Sequence, residues 1–323
     1  MSTTTDKMTR ERPVHDAHHA RPSHWIVGPG AVGRLLAMHL ARQVPVTLIG
    51  RREPPARLTL TTPEDEREIR ALPGATLETL PPIPPATIHL TTKAHGAEEA
   101  VAALANRLPG ETPLVLWQNG FGVQESLTRA WPGPVLCAST TEGAYVDDAP
   151  ATDGEGDHGM RHGVVHAGHG RTVIGHLDGA YRELAEPLAH TLSVAGLPCE
   201  AVADIRVRLW HKLAVNAAIN PLVARFRIRN GQLRDRPFRP MVEAVIDELV
   251  TIMAAEDIPA PPDGWSALVW GVVEATANNR ASMLQDVLAG RRTEADAILG
   301  PLLHTARRHA LPCPHLEALQ AGD

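Results

Sequence analysis

W-I-V-G-P-G-A-V-G, residues 25–33, decides how the first half of this chain is read. Trp25, Ile26 and Val27 form a short apolar run of the kind a buried strand carries. Gly28, Gly30 and Gly33 then spell G-x-G-x-x-G. Residues 34–42 continue with helical spacing, and Leu35, Leu36 and Leu40 fall on one side with Val32. The motif therefore lies between a strand and a helix, the context in which it cradles a dinucleotide. Gly28 permits the tight turn, Gly30 lets the backbone approach a pyrophosphate, and Gly33 lets helix and strand pack closely. Ala31 and Val32 open the helix, whose free N–H groups and partial positive charge suit phosphates. A merely structural glycine turn is the other reading of the same residues.

Working outward, residues 44–49 read as the next strand, ending in Gly50-Arg51-Arg52. An NAD-binding chain usually places an acidic side chain here for the ribose 2′-OH. A guanidinium instead suits a 2′-phosphate, so Arg51 favours NADP(H). Glu53 close behind keeps NAD(H) open, as does the reading of a solvated basic turn. Residues 57–61 form a short strand in a hairpin-like excursion. Strands are expected at 87–92, 113–117 and 135–138, with helices at 97–107 and 123–130 between them. Each strand ends in a polar loop: T-T-K-A-H with Lys93, Q-N-G-F-G with Asn119, and S-T-T-E-G-A at 139–144. This alternation predicts a doubly wound, mostly parallel sheet with its loops at one edge, where ligands bind. The Asp-, Gly- and His-rich stretch 147–163 reads as an exposed loop. His158, His162, His166 and His169 show no tight ligand spacing, so no metal site is expected. Residues 164–166 and 172–174 read as strands extending the sheet. A helix at 180–194 and a strand at 199–202 follow, and Asp204 suits the N-cap of the next helix.

Beyond Asp204 every strong pattern is helical: 205–225, 238–255, 265–278, 281–288 and 293–309. The expected architecture is an α/β Rossmann-type dinucleotide-binding domain at 22–203 followed by an all-α domain at 204–323. Within the first of these helices, W-H-K-L-A-V-N-A-A-I-N-P (residues 210–221) carries Lys212, Asn216 and Asn220 one turn apart on one face, with Pro221 closing it. A cation and two carboxamides along an apolar helix fit a cleft lining. A surface lysine with two bridging or capping asparagines fits equally well. Ser282 and Asp286 form a second polar row. Thr293 can cap the following helix, with Glu294 in its first turn.

Composition removes several classes. The chain has 323 residues, 43% of them hydrophobic, enough for two domains with cores. With 31 basic and 37 acidic residues the net charge is −6, which gives no support to nucleic-acid binding. No apolar run approaches the ~20 residues that span a bilayer. Residues 1–21 lack the apolar core of a signal peptide and read as a disordered tail whose His15, His18 and His19 are solvated. Cys137, Cys199 and Cys313 lie far apart and fit buried thiols in a reducing compartment. A soluble, cytoplasmic protein is expected.

Taken together, these stretches resemble ketopantoate reductase, the 2-dehydropantoate 2-reductase family. The resemblance runs from about residue 23 to about 319. It rests on G-P-G-A-V-G, T-T-K-A-H, Q-N-G-F-G, T-T-E-G-A, W-H-K-L-A-V-N-A-A-I-N-P-L at 210–222 and S-M-L-Q-D-V-L-A-G-R-R-T-E at 282–294. It implies NADPH-dependent reduction of the C2 ketone of ketopantoate to pantoate, a step towards pantothenate. It implies that Lys212 is the proton donor, that Asn216 and Asn220 contact substrate, and that Ser282 binds the carboxylate region. Glu294 is implied to bind the substrate hydroxyl and align the site, Lys93 and Asn119 to sit beside the cofactor and the reacting centre, and Arg51 to hold the 2′-phosphate. The implied partner is a small 2-keto acid, and the implied assembly a monomer or homodimer. Val223, Ala281 and the long 147–163 loop depart from the family pattern and bear on substrate preference. A related 2-keto acid or opine-type dehydrogenase, and a non-catalytic NADPH-binding regulator, are the alternatives.

Overall fold

The computed structural model describes residues 23–150 and 160–321. The expected tail at 1–21, with His15, His18 and His19, lies outside the described residues, as does His158. β1 (His24–Val27) passes through the glycine turn into α1 (Ala31–Leu40) and β2 (Val46–Gly50). β3 (Arg57–Thr61) and β4 (Arg67–Ala71) form the expected antiparallel hairpin, and β5 (Gly74–Thr76) returns to pair with β2. β6 (Thr87–Leu90), α2 (Ala97–Ala105), β7 (Leu114–Leu116), α3 (Val123–Ala130) and β8 (Val135–Thr140) resume the alternation. Next come β9 (Gly143–Val146), β10 (Ala149–Pro150), β11 (Met160–Arg161), β12 (Gly163–Gly168), β13 (Thr172–Gly175), α4 (Arg182–Val194) and β14 (Cys199–Ala201).

The main sheet has the order β14-β13-β8-β7-β6-β1-β2-β5. Its pairings are parallel except β13 against β8. Alternation along β1 sends Trp25 and Val27 to one face and Ile26 to the other, and the two faces belong to separate apolar clusters. α1 and α4 cover the Ile26 face. α2, α3 and the helices that follow β14 cover the Trp25 face.

Two expectations need correction here. β13 extends the main sheet, but β12 does not. β12 joins a second sheet, of order β4-β3-β12-β9. The place beside β8 is taken by β13, and Val164 packs instead with Leu58 and Leu60 on the α1 side. The two described ends of the stretch 147–163, residues 147–150 and 160–163, are also tied down rather than free. β10 pairs with β11, Arg34 on α1 reaches Asp148 at 2.5 Å and the Gly163 carbonyl at 2.9 Å, and Arg161 pairs with Asp147 at 2.8 Å.

After β14 the chain is helical: α5 (Ile205–Phe226), α6 (Phe238–Ala255), α7 (Gly264–Ala275), α8 (Ser282–Leu288), α9 (Ala295–Arg308) and α10 (Pro314–Gln320). The last was not foreseen, although Pro314 at its start is a usual first-turn residue. Asp204 caps α5, its carboxylate accepting the Val207 N–H at 3.3 Å. Pro221 does not close this helix. It is buried inside α5, which runs on to Phe226. Proline in a helix loses one backbone bond and crowds the carbonyl four residues back. Burial nearly all round α5, from Leu209 to Ala224, holds the helix through that defect. Among the described residues no helix is long and apolar enough to cross a membrane.

Candidate active site

Because β1, β2, β6, β7 and β8 run parallel, their C-terminal ends share one edge. The glycine turn follows β1. Gly28 has φ +104°, and a Cβ there would lie 2.7 Å from the Thr92 nitrogen. A Cβ on Gly33 would lie 2.2 Å from the Gly28 carbonyl oxygen. Gly30 is different: a Cβ there would meet nothing within 4 Å, so the turn is open in front of the helix. Gly30 is the N-cap of α1 and offers no side chain to it, leaving the N–H groups of Ala31, Val32 and Gly33 for an outside acceptor. These residues fit a pyrophosphate. Thr91 fastens the turn to the end of β6, donating to the carbonyls of Val27 at 3.0 Å and Gly28 at 2.7 Å. Arg51 and Arg52 follow β2 and are exposed. Arg51 leans toward the turn after β6, its Nη2 3.9 Å from where a Gly96 Cβ would sit.

Lys93, just beyond β6, crosses to the helical part. Its Nζ donates to Asp286 at 2.8 Å and to Glu294 at 3.2 Å. Both carboxylates are buried. Glu294 also accepts from the Ala94 N–H at 3.3 Å and from Asn119 Nδ2 at 3.5 Å. Asp286 takes Arg291 at 3.0 Å. Glu294 is the N-cap of α9, but its side chain makes no cap hydrogen bond. Thr293 does, accepting the Ala295 N–H at 3.3 Å. Burial pulls the Lys93 ammonium down, but the Glu294 and Asp286 carboxylates outweigh it and hold the pKa above the usual lysine value.

Lys212 on α5 meets a different set of groups. Its Nζ donates to Asn119 Oδ1 at 2.9 Å and to the Thr140 carbonyl at 2.7 Å, at the ends of β7 and β8. Burial lowers its pKa from 10.5 to about 8, and the Glu294 charge opposes that fall. The Phe121 ring packs on Trp210 with centroids 5.0 Å apart, and the Phe121 N–H donates to the Ala297 carbonyl at 3.2 Å. These contacts press the Q-N-G-F-G loop between α5 and α9. A small pocket beside Lys212 is lined by Asn119, Ser139 and Leu209. Asn216 is half-buried and Asn220 buried, so the row on α5 is not a surface face. Ser282, exposed, opens α8, which packs on α5.

Lys93, Asn119, Lys212 and Glu294 are thus joined by hydrogen bonds. Asn216, Asn220 and Ser282 stand nearby on α5 and α8 without joining that network, and Arg51 lies along the edge at β2. Sequence reading placed Asp286 in a polar row with Ser282 but gave it no role, and passed over the Thr140 carbonyl. Asp286 was visible one turn after Ser282, but nothing in its spacing tied it to Lys93. A backbone carbonyl leaves no sequence signal at all.

Comparison with known proteins fixes the lineage. The model of "Ketopantoate reductase PanE/ApbA" matches residues 25–179, and that of its C-terminal part matches residues 204–321. The 2-dehydropantoate 2-reductase of Vibrio cholerae is 35% identical over 295 residues, 91% of this chain and 94% of that protein. The chain belongs to the ketopantoate reductase family. Within that family, the 2-dehydropantoate 2-reductase of Archaeoglobus fulgidus is 36% identical over 225 residues, 69% of this chain and 70% of that protein. The solved structure of a PanE/ApbA family ketopantoate reductase from Ralstonia eutropha superposes with TM-score 0.75 at 24% identity, covering 93% of this chain and 96% of that one. A ternary structure of D-mandelate dehydrogenase with NADH and anilino(oxo)acetate has TM-score 0.78 at 21% identity, with the same coverage, and shares the fold.

Proposed function

We propose that this ketopantoate reductase family member reduces 2-dehydropantoate to pantoate with NADPH, at the cleft between the sheet edge and α5, α8 and α9. Family membership supports the substrate. The observation that carries the chemistry is Lys212: a half-buried ammonium with a pKa of about 8, held by a carboxamide and a backbone carbonyl. Gly28, Gly30, Ala31, Val32 and Gly33 would hold the pyrophosphate, Arg51 the 2′-phosphate, and Lys93, Asn119 and Glu294 the surroundings of the nicotinamide. When bound, NADPH supplies a hydride to the ketone carbon. The ketone oxygen then gains charge, and a nearby ammonium stabilises it and delivers the proton that completes the alcohol. Lys212 is suited to both tasks, since it is charged at neutral pH and gives up its proton more readily than an ordinary lysine. Asn216 and Asn220 orient the substrate, Ser282 binds its carboxylate end, and Glu294 takes its hydroxyl. Lys93 keeps positive charge beside the reacting centre and fixes Glu294.

The purified protein is tested with NADPH or NADH and a panel of 2-keto acids. Highest kcat/KM with 2-dehydropantoate and NADPH is expected. A preference for another keto acid transfers the reading to a related dehydrogenase, and no oxidation with any of them to a regulator. Arg51→Ala should raise the KM for NADPH far more than that for NADH. Equal effects would remove Arg51 from the 2′-phosphate.

A further inference from the structure

We propose that Glu142, His166 and His169 form a binding site for a divalent transition-metal ion of the zinc type, a site the reduction does not use. The sequence shows no tight ligand spacing among these histidines, and side chains three apart on a regular strand point to opposite faces. The fold changes that relation. Between His166 and Gly168 the pairing of β12 with β9 shifts register: His166 faces Ala144, and Gly168 already faces Gly143. One extra residue in a strand re-aims the side chains beyond it, and here it brings His166 and His169 to the same side. Their rings meet edge to face with centroids 5.0 Å apart.

Glu142 arrives from the end of β8. Gly170 lets it come close, since a Cβ there would lie 2.4 Å from the Glu142 nitrogen. One oxygen of Glu142, Oε2, takes the Gly170 N–H at 2.9 Å and His166 Nε2 at 2.7 Å. The other, Oε1, is buried and has no hydrogen-bond partner. The Glu142 side chain is 3% exposed and that of His166 2%. A buried carboxylate oxygen without a donor is costly, and a cation would satisfy it.

Donor atoms of the three residues all lie within 4.8 Å of one another, and among the described residues they are the metal-competent group of this kind. In a tetrahedral zinc centre, with bonds of about 2.0 Å, donor atoms are about 3.3 Å apart. The Glu142–His166 pair is already tighter than that. His169, whose side chain is 62% exposed, has room to move in. Glu64 lies 3.0 Å from His169 Nε2, the carboxylate–histidine pairing that orients metal-binding imidazoles. Two imidazoles and a carboxylate leave a fourth position for water, and they suit zinc and its neighbours rather than calcium or magnesium. A metal here would clasp the end of β8 to the β12 bulge, and so the second sheet to the first.

Full-length protein stripped with a chelator is titrated with Co²⁺ and then Zn²⁺, following the visible cobalt bands and competition with a chromophoric chelator. The expected result is one equivalent of Co²⁺ with the spectrum of a low-coordinate nitrogen and oxygen site, displaced by one equivalent of Zn²⁺, and a Zn²⁺-dependent rise in Tm. His169→Ala and Glu142→Gln should each weaken binding at least about ten-fold and remove the rise in Tm. His169 is exposed, and an unchanged Tm of His169→Ala in chelator verifies its fold independently of Glu142→Gln. Replacing His15, His18 and His19 together by alanine should leave the equivalent in place. No bound equivalent, or one that keeps its affinity and spectrum in both His169→Ala and Glu142→Gln, overturns the site.

Discussion

Lys93 and Lys212 stand at the same edge of the sheet and both feel the Glu294 carboxylate, yet their surroundings act in opposite directions. Lys93 lies between two buried carboxylates and is held in its charged form. Lys212 has only neutral oxygens within hydrogen-bond reach, so burial prevails and its pKa falls to about 8. Burial opposes both ammonium groups, and direct contact with a carboxylate decides whether it wins. One lysine is therefore built to hold its charge, and the other to exchange a proton.

The largest test of that difference is Lys212→Ala. Turnover should fall by roughly 10²–10⁴-fold if Lys212 is the acid, and near-normal kcat would break the comparison. The wild-type reduction should slow as pH rises through about 8, because the ammonium is the donating form and is lost there.

A second test asks what burial does with no carboxylate opposing it. His24 Nδ1 and His89 Nε2 lie 3.0 Å apart inside the sheet, and Trp117 donates to His89 Nδ1 at 3.2 Å. Burial lowers His24 from 6.5 to about 4 and His89 well below its usual value. A lowered histidine is neutral in the fold, while the unfolded chain takes up a proton below 6.5. Stability is thus full above pH 6.5 and is lost as pH falls toward 4. His24 alone would cost about 3 kcal/mol by then, at about 1.4 kcal/mol per pH unit. Urea denaturation at pH 7 and pH 4.5 measures it, and equal midpoints would argue against burial as the governing effect.

Smaller effects separate the two lysines by stability. Lys93→Met leaves Asp286 with Arg291 and Glu294 with the Ala94 N–H. The Lys93 side chain is 40% exposed, so solvent screening brings the loss to about 1–2 kcal/mol, below that of a fully buried pair. Lys212→Met removes a half-buried charge without stranding a carboxylate, leaves only the neutral Asn119 Oδ1 and Thr140 carbonyl without that donor, and should cost less than Lys93→Met. The reverse order of urea midpoints would contradict the assignment. The smallest effect is the one that Glu294→Gln should have on the pH profile. Its charge raises Lys212, so the alkaline limb of the rate profile should move down by under about one pH unit. An upward shift would mean that Glu294 does not act on Lys212 through its charge.

Sequence reading found these lysines but not their difference. Lys93 was legible as the residue after a strand, and Lys212 as the start of a three-residue polar row at four-residue spacing on a helix. Neither position reveals a partner some 200 residues away, such as Asp286. The same limit explains the misread elements. An apolar run such as 164–166 announces a strand but not the sheet it joins. Local propensity makes Pro221 a helix end because it counts the missing N–H and not the packing around α5.

What the sequence determined by itself was local and periodic. It set the strand–turn–helix of residues 25–40, the alternation that aligns the loops at one edge, the helical second half and the Lys212–Asn216–Asn220 face. Backbone geometry and side-chain period act over a few residues, and the chain states them directly. Tertiary structure alone decided which lysine is paired, which sheet takes β12, and how a register shift sets His169 beside His166 and Glu142. Those outcomes depend on desolvation and on contacts between distant segments, which no local pattern encodes.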